Sequence, residues 1–206
     1  MSEEATADKK QRIMEVAARL FADKGFDGVS VREIAEEADV TKPVIYYYFK
    51  NKQDLFQSLL DTAFAHVSTM HEEIYREDRP VGEKLRMLIR GHFQFCQENP
   101  DVVKLLFDDM RERISDKSLD SKSQDLTHKN RFRRISEFIR DGQQQGVFRE
   151  GVDAVKVGML FIGTTNMFIL YQLHSDKNVI SSAVADELVD IILHGIAIPN
   201  HQFQEE

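Results

Sequence analysis

The segment from Val31 to Lys52, VREIAEEADVTKPVIYYYFKNK, gathers the side chains best suited to grip a polyanion. Lysine and tyrosine donate hydrogen bonds to phosphate oxygens, and a small apolar side chain such as Val44 can touch a thymine methyl group. Lys42, Tyr46, Tyr47 and Tyr48 crowd one short stretch, too many to be buried together. Lys52 opens the next helical pattern, where the positive end of the helix dipole adds to its charge. This chemistry is contact with nucleic-acid phosphates and base edges.

Two short helices must present these groups. Ser30 is a good N-cap, and Glu33 completes an S-x-x-E capping box. Val31, Ile34, Ala35 and Ala38 form the buried face of the first helix. Thr41 caps the second, and Pro43 sits in its first turn, where a missing N–H costs little. Ile45 and Phe49 point inward. A pair of short helices joined by a tight turn is how a helix-turn-helix offers a recognition helix to the major groove. The same pair also occurs in ordinary bundles with scattered surface charge.

The charge balance needs to be read locally. The net charge of the 206-residue chain is −8, which argues mildly against a nucleic-acid partner. Yet nine of its 27 basic residues lie between positions 9 and 52, against seven acids there, so this segment is slightly positive. A content of 42% hydrophobic and 30% charged residues predicts a soluble globular chain with a real core. A single cysteine, Cys96, excludes an internal disulfide and fits a reducing cytoplasm. The first dozen residues are polar and lack the apolar core of a signal peptide. The most apolar run, Val155 to Leu173, is interrupted by Lys156, Thr164, Thr165 and Asn166, and reads as a buried helix rather than a membrane span.

Helical periodicity runs through almost the whole chain. Ile13, Val16, Ala17, Leu20 and Phe21 make one stripe, closed by Gly25. Asn51 caps a long helix from about Lys52 to Tyr75, with Leu55, Phe56, Leu59, Leu60 and Ala63 inside. Further helices are expected over Val81–Asn99, Asp101–Arg113, Leu126–Gln145, Asp153–His174 and Val179–Ala197, with a polar loop over Ser115–Ser123. The fold class is therefore all-α, with about nine helices and no convincing strand.

At these residues the chain resembles the TetR family of bacterial transcriptional regulators. The family's N-terminal pattern is matched by Gly25-Phe26, Ser30 with Ile34-Ala35, Val40-Thr41, Ile45-Tyr46, Tyr48-Phe49, and Lys50-Asn51-Lys52 with Leu55. The close match covers about the first 60 residues. Two positions depart from it. Asp39 stands where many members have Gly, in the turn before the recognition helix, and Asp tolerates the left-handed conformation better than most residues. Pro43 stands where many have Gly or Ala, which bears on the operator sequence rather than on DNA binding.

The resemblance implies a three-helix helix-turn-helix DNA-binding domain over 1–52 (the motif at about 30–49) and a helical ligand-binding and dimerisation domain over 53–206. It implies that Ser30, Thr41, Tyr47, Tyr48 and Lys52 contact phosphates, and that Arg32, Lys42, Pro43, Val44 and Tyr46 face the groove. It further implies a homodimer through the last two helices, about 153–174 and 179–197. Two recognition helices about 34–36 Å apart would then read a pseudo-palindromic operator in double-stranded DNA. The expected function is a cytoplasmic, ligand-responsive regulator acting as a repressor, with a small-molecule effector and no cofactor or metal.

The C-terminal residues suit a pocket without specifying one. Fourteen Phe and seven Met favour an adaptable apolar interior, and suit a plain core equally. The candidate pocket residues are Phe64, Met87, His92, Phe93, Phe107, Met110, Phe138, Met159, Asn166 and Tyr171. Two other function classes stand beside the regulator. A helical protein-interaction module would leave the second short helix without a DNA role. An enzyme is disfavoured: His66 and His71 are wrongly spaced for helical metal ligands, Cys96 lacks a nucleophile's surroundings, and there is no Gly-rich phosphate loop.

Overall fold

The computed structural model describes residues 3–115 and 125–195, with side chains described over 7–111 and 133–195. Among the described residues nine α-helices form and no strand: α1 (Glu3–Lys24), α2 (Val31–Glu37), α3 (Lys42–Tyr48), α4 (Lys52–Arg76), α5 (Val81–Glu98), α6 (Pro100–Ser115), α7 (Asp125–Gln144), α8 (Ala154–Leu173) and α9 (Ser182–His194). They divide into two compact units, Met1–Glu72 with Phe95–Leu119 and Glu73–Gln94 with Asp120–Glu206. Helices α4 and α5 each contribute to both. The expected polar loop over Ser115–Ser123 falls almost entirely on 116–124, outside the described residues.

The first unit is organised by the apolar stripe of α1. Ile13, Ala17, Leu20 and Phe21 are buried and pack with Ile34 and Ala35 of α2, Ile45 of α3, Phe49, and Leu55, Leu59 and Leu60 of α4. Leu105 of α6 joins the same core. Gly25 ends α1 at φ +74, and its N–H reaches the carbonyl of Phe21 at 2.9 Å. The Lys104 ammonium donates to the Ala22 carbonyl at 2.6 Å, so α6 satisfies an otherwise orphaned acceptor in the last turn of α1.

The second unit is built mainly on α7 against α8. Gly158 makes the close approach possible: a Cβ there would lie 2.9 Å from Ile135 Cγ2. Helix α9 is held to α5 by paired charges at matching helical steps. Arg90 donates to Asp186 twice, Nε at 2.9 Å and the terminal nitrogen at 2.7 Å, and Arg86 pairs with Asp190. The Asp186 carboxylate is the chief reason the Arg90 guanidinium titrates above its ordinary range.

Two sequence expectations need correction. Helix α9 starts at Ser182, not Val179, because Ser181 caps it by accepting from the Val184 N–H at 3.2 Å. The N–H groups of Val179 and Ile180 are drawn off by the Gln172 side-chain oxygen, at 2.7 and 3.3 Å. Gly195, at φ +74, closes α9, and the remaining expected residues, Ile196 and Ala197, lie outside the described residues. Helix α8 is not a buried helix but a two-faced one. Ala154, Gly158, Phe161, Thr165 and Ile169 are buried, whereas Met159, Leu160, Met167 and Tyr171 are more than half exposed. By length and composition alone α8 could cross a membrane.

Replacing Gly158 with Ala should destabilise the protein by about 1–2 kcal/mol, since overpacking against Ile135 outweighs the gain in helix propensity. Urea unfolding checks this, and an unchanged midpoint would show that α7 and α8 can separate freely.

Candidate nucleic-acid interface

The turn between α2 and α3 determines what α3 can present. Ala38 closes α2, its N–H reaching the Ile34 carbonyl at 2.9 Å, and Val40 N–H returns to the Ala35 carbonyl at 2.9 Å. Between them Asp39 takes φ +55, the only non-glycine residue at positive φ among those described. The left-handed conformation anticipated for this Asp is therefore present.

Helix α3 then anchors itself with two side chains. Ile45 and Phe49 are buried, at 1% and 2% exposure. The rest of the helix is turned outward or to the rim. Lys42, Pro43, Tyr46 and Tyr47 are exposed, whereas Val44 and Tyr48 are half-buried against the core. Lys42 and Tyr46 make no hydrogen bond or ion pair with any described residue. Thr41 sits at the N-cap in extended conformation, and its hydroxyl makes no capping bond. The outcome is a basic and aromatic surface on a short helix, with Lys42 and Tyr46 available at its outer face.

Helix α2 and the start of α4 are more engaged. Ser30 Oγ accepts from the Glu33 N–H at 3.2 Å, forming the expected cap. The Glu33 carboxylate pairs with Lys24, which with the Ser30 backbone N–H keeps it below the usual carboxylate range. Arg32 is exposed and pairs with Glu36 one helical turn on, at 2.7 Å, while Arg19 meets Glu37. Such exposed pairs contribute little to stability. At α4, Asn51 Oδ1 accepts from the Asp54 N–H at 2.8 Å, the expected cap. Lys52 is differently placed. Its ammonium donates to the carbonyls of Phe26 at 2.7 Å and Val29 at 2.9 Å, and lies 4.2 Å from the centre of the Phe26 ring. Nothing in the sequence pattern signals this, because the partners are backbone atoms more than 20 positions away.

The candidate pocket residues fall in both units. Phe64, Phe107 and Met110 lie in the first; Met87, His92, Phe93, Phe138, Met159, Asn166 and Tyr171 lie in the second. Phe93 and Phe138 are buried, and Phe138 packs on Tyr75 with ring centres 5.4 Å apart. Met159 and Tyr171 stand on the exposed face of α8, 55% and 61% exposed. The second unit also holds a cavity of about 160 Å³ lined by Leu85, Ile139, Gln143, Arg149, Phe161 and Leu193 among others, and none of the ten candidate pocket residues lines it. No cluster of metal-ligating side chains occurs among the described residues.

An exposed polar helix, set by a left-handed turn against a three-helix core and followed by a helical second unit, defines a helix-turn-helix regulatory protein. The model for bacterial regulatory proteins of the tetR family matches residues 13–59, and that for the tetracyclin repressor-like C-terminal domain matches residues 80–189. The chain belongs to the TetR family, and so is a ligand-responsive, DNA-binding transcriptional regulator and not an enzyme. It is 24% identical over 188 residues to the fatty acid metabolism regulator protein of Bacillus subtilis, covering 91% of this chain and 95% of that one. Its fold matches the transcriptional regulator FadR of Bacillus subtilis in complex with stearoyl-CoA, with a TM-score of 0.71, 21% identity and coverage of 91% and 99%. It also matches AibR in complex with isovaleryl coenzyme A and operator DNA, with a TM-score of 0.68, 23% identity and coverage of 90% and 98%.

Cys96 takes no part in this surface. It is buried, and burial pushes its thiol up to about 11. At pH 8 only on the order of a thousandth of it is thiolate, the reactive form. A chromogenic disulfide reagent should leave the native protein unlabelled over minutes at pH 8 and titrate one thiol after denaturation. Rapid native labelling would mean that the core around α5 opens readily.

Proposed function

We propose that this chain is a dimeric repressor that binds a pseudo-palindromic operator through α3 and is released by an acyl-coenzyme A thioester. The observation that carries the DNA half is the outward face of α3, where Lys42, Pro43, Tyr46 and Tyr47 are exposed around an unoccupied Thr41 hydroxyl. Lys42, Pro43, Val44, Tyr46 and Arg32 face base edges; Ser30, Thr41, Tyr47 and Tyr48 meet phosphates and set register. Arg32 can exchange the Glu36 carboxylate for a phosphate or a guanine edge, since the pair it leaves is well exposed.

The effector class is supported by the relatives: a fatty acid metabolism regulator, and two structures holding stearoyl-CoA and isovaleryl coenzyme A. The Phe- and Met-rich interior of this chain suits an acyl chain. Release follows from linkage, with the thioester binding the DNA-incompetent arrangement more tightly. Helix α4 is the physical continuity between the two units, beginning beside α3 and ending in the second unit.

The dimer is supported by α8. Val155, Met159, Met167 and Tyr171 lie at four-residue steps, with Gly163 between, and all are exposed in the single chain. Polar interruptions at Lys156, Thr164 and Asn166 favour a second copy over lipid as the cover, in keeping with a cytoplasmic regulator that meets its DNA there.

Capture of genomic fragments in increasing salt should yield an inverted repeat whose binding falls steeply with salt. Lys42→Ala and Tyr46→Ala should each weaken that operator at least about tenfold while melting temperature and dimer mass stay unchanged. If they unfold the protein or split the dimer instead, α3 is a packing element and the DNA reading fails. Palmitoyl-CoA at micromolar concentration should release the operator, and an anisotropy titration showing no release would eliminate this effector class. Met167→Glu should give a monomer by sedimentation, and an intact dimer would place the interface off α8.

A further inference from the structure

We infer that Lys52 is a positioning residue for DNA reading, not a phosphate ligand; the inference rests on the regulator reading above. A lysine ammonium has three N–H donors and no acceptor. In Lys52 two of them are committed to the Phe26 and Val29 carbonyls, and the ammonium rests over the Phe26 ring. The side chain is half-buried, unlike that of Lys42 or Lys50. One N–H is left over; swinging the head group out to a phosphate would strip both carbonyls of their donor and abandon a partly desolvated cation–π contact, so the seat holds Lys52 back from the duplex.

The two carbonyls are not arbitrary acceptors. Phe26 and Val29 bracket the α1–α2 connection, and Val29 directly precedes Ser30, the N-cap of α2. Val29 N–H to Phe26 O is long, at 3.5 Å, so the turn is weakly closed by its own backbone. Lys52 supplies the missing closure from α4. Phe26 is further fixed by Phe21 and Phe56, with ring centres 5.6 and 5.2 Å away. The entry angle of α2, and with it the orientation of Arg32 and of α3, is thereby referred to the first turn of α4.

A phosphate contact and a positioning contact leave different marks. Each phosphate contact adds about 0.9 to the slope of log affinity against log salt and strengthens specific and non-specific binding alike. A positioning contact adds nothing to the slope and acts only where geometry is read. Lys52→Met, which keeps the stem and removes the donors, should lower operator affinity about tenfold while non-specific duplex affinity and the salt slope stay at wild-type values. Lys52→Arg should restore operator affinity, since its fork can reach both carbonyls and stack on Phe26. Amide exchange in the full chain should quicken at Val29 to Arg32 in Lys52→Met, with α5 and α8 unaffected.

A slope reduced by about 1.8 per dimer, with specific and non-specific affinity falling together, would overturn the inference in favour of a phosphate ligand. Unchanged operator affinity with a lowered melting temperature would reduce Lys52 to a general stabiliser. If the wild-type protein discriminates no DNA sequence, the regulator reading fails by itself. The exchange arm still decides then: no local quickening in Lys52→Met would refute the anchoring.

Discussion

Three phenyl rings and the apolar stripe beneath them are what the reading head depends on. Phe21 of α1, Phe26 of the following turn and Phe56 of α4 meet pairwise at 5.2–5.6 Å, two of the contacts edge-on. Such contacts favour one relative orientation of the rings beyond the area they bury. Because each ring comes from a different segment, the cluster fixes where α1 ends, how the chain enters α2 and where α4 begins. Helices of seven residues such as α2 and α3 are too short to be stable alone. They persist because Ile34, Ala35, Ile45 and Phe49 dock on this prearranged surface.

Much of this was legible before any coordinates. The inward positions of α1 to α4 follow from 3.6-residue spacing, and the caps at Ser30 and Asn51 follow from residue type. The left-handed turn residue followed from a family pattern that wants Gly where Asp39 stands. What was not legible involves backbone acceptors or distant pairing. The attachment of Lys52 to the Phe26 and Val29 carbonyls, and that of Lys104 to Ala22, leave no trace in hydrophobic periodicity. The start of α9 escapes the periodicity for a related reason. Val179 and Ile180 continue the apolar pattern of α9, but the Gln172 oxygen claims their N–H groups and Ser181 caps the helix that follows.

Helix α8 shows why composition misleads when a face awaits a partner. Its sequence reads as a core helix or a membrane span, because both demand apolar residues nearly all round. The structure buries one side on α7, with Gly158 permitting the approach, and leaves Met159, Met167 and Tyr171 outside. The opposite pattern holds for α9. There Asp186 and Asp190 are neutralised within the chain by Arg90 and Arg86, so these two carboxylates are spoken for before any partner arrives.

A net charge of −8 sits uneasily with a DNA partner until the acids near the reading head are followed individually. Glu33, Glu36 and Glu37 on α2 are each paired with a base: Lys24, Arg32 and Arg19. Helix α3 carries no acid at all. With a Debye length of about 8 Å at physiological ionic strength, carboxylates beyond that range are largely screened from a bound phosphate. The local balance therefore outweighs the total. Lys42 stands exposed at the start of α3, where the helix dipole has the same sign as its charge. An acidic protein can in this way present a positive face.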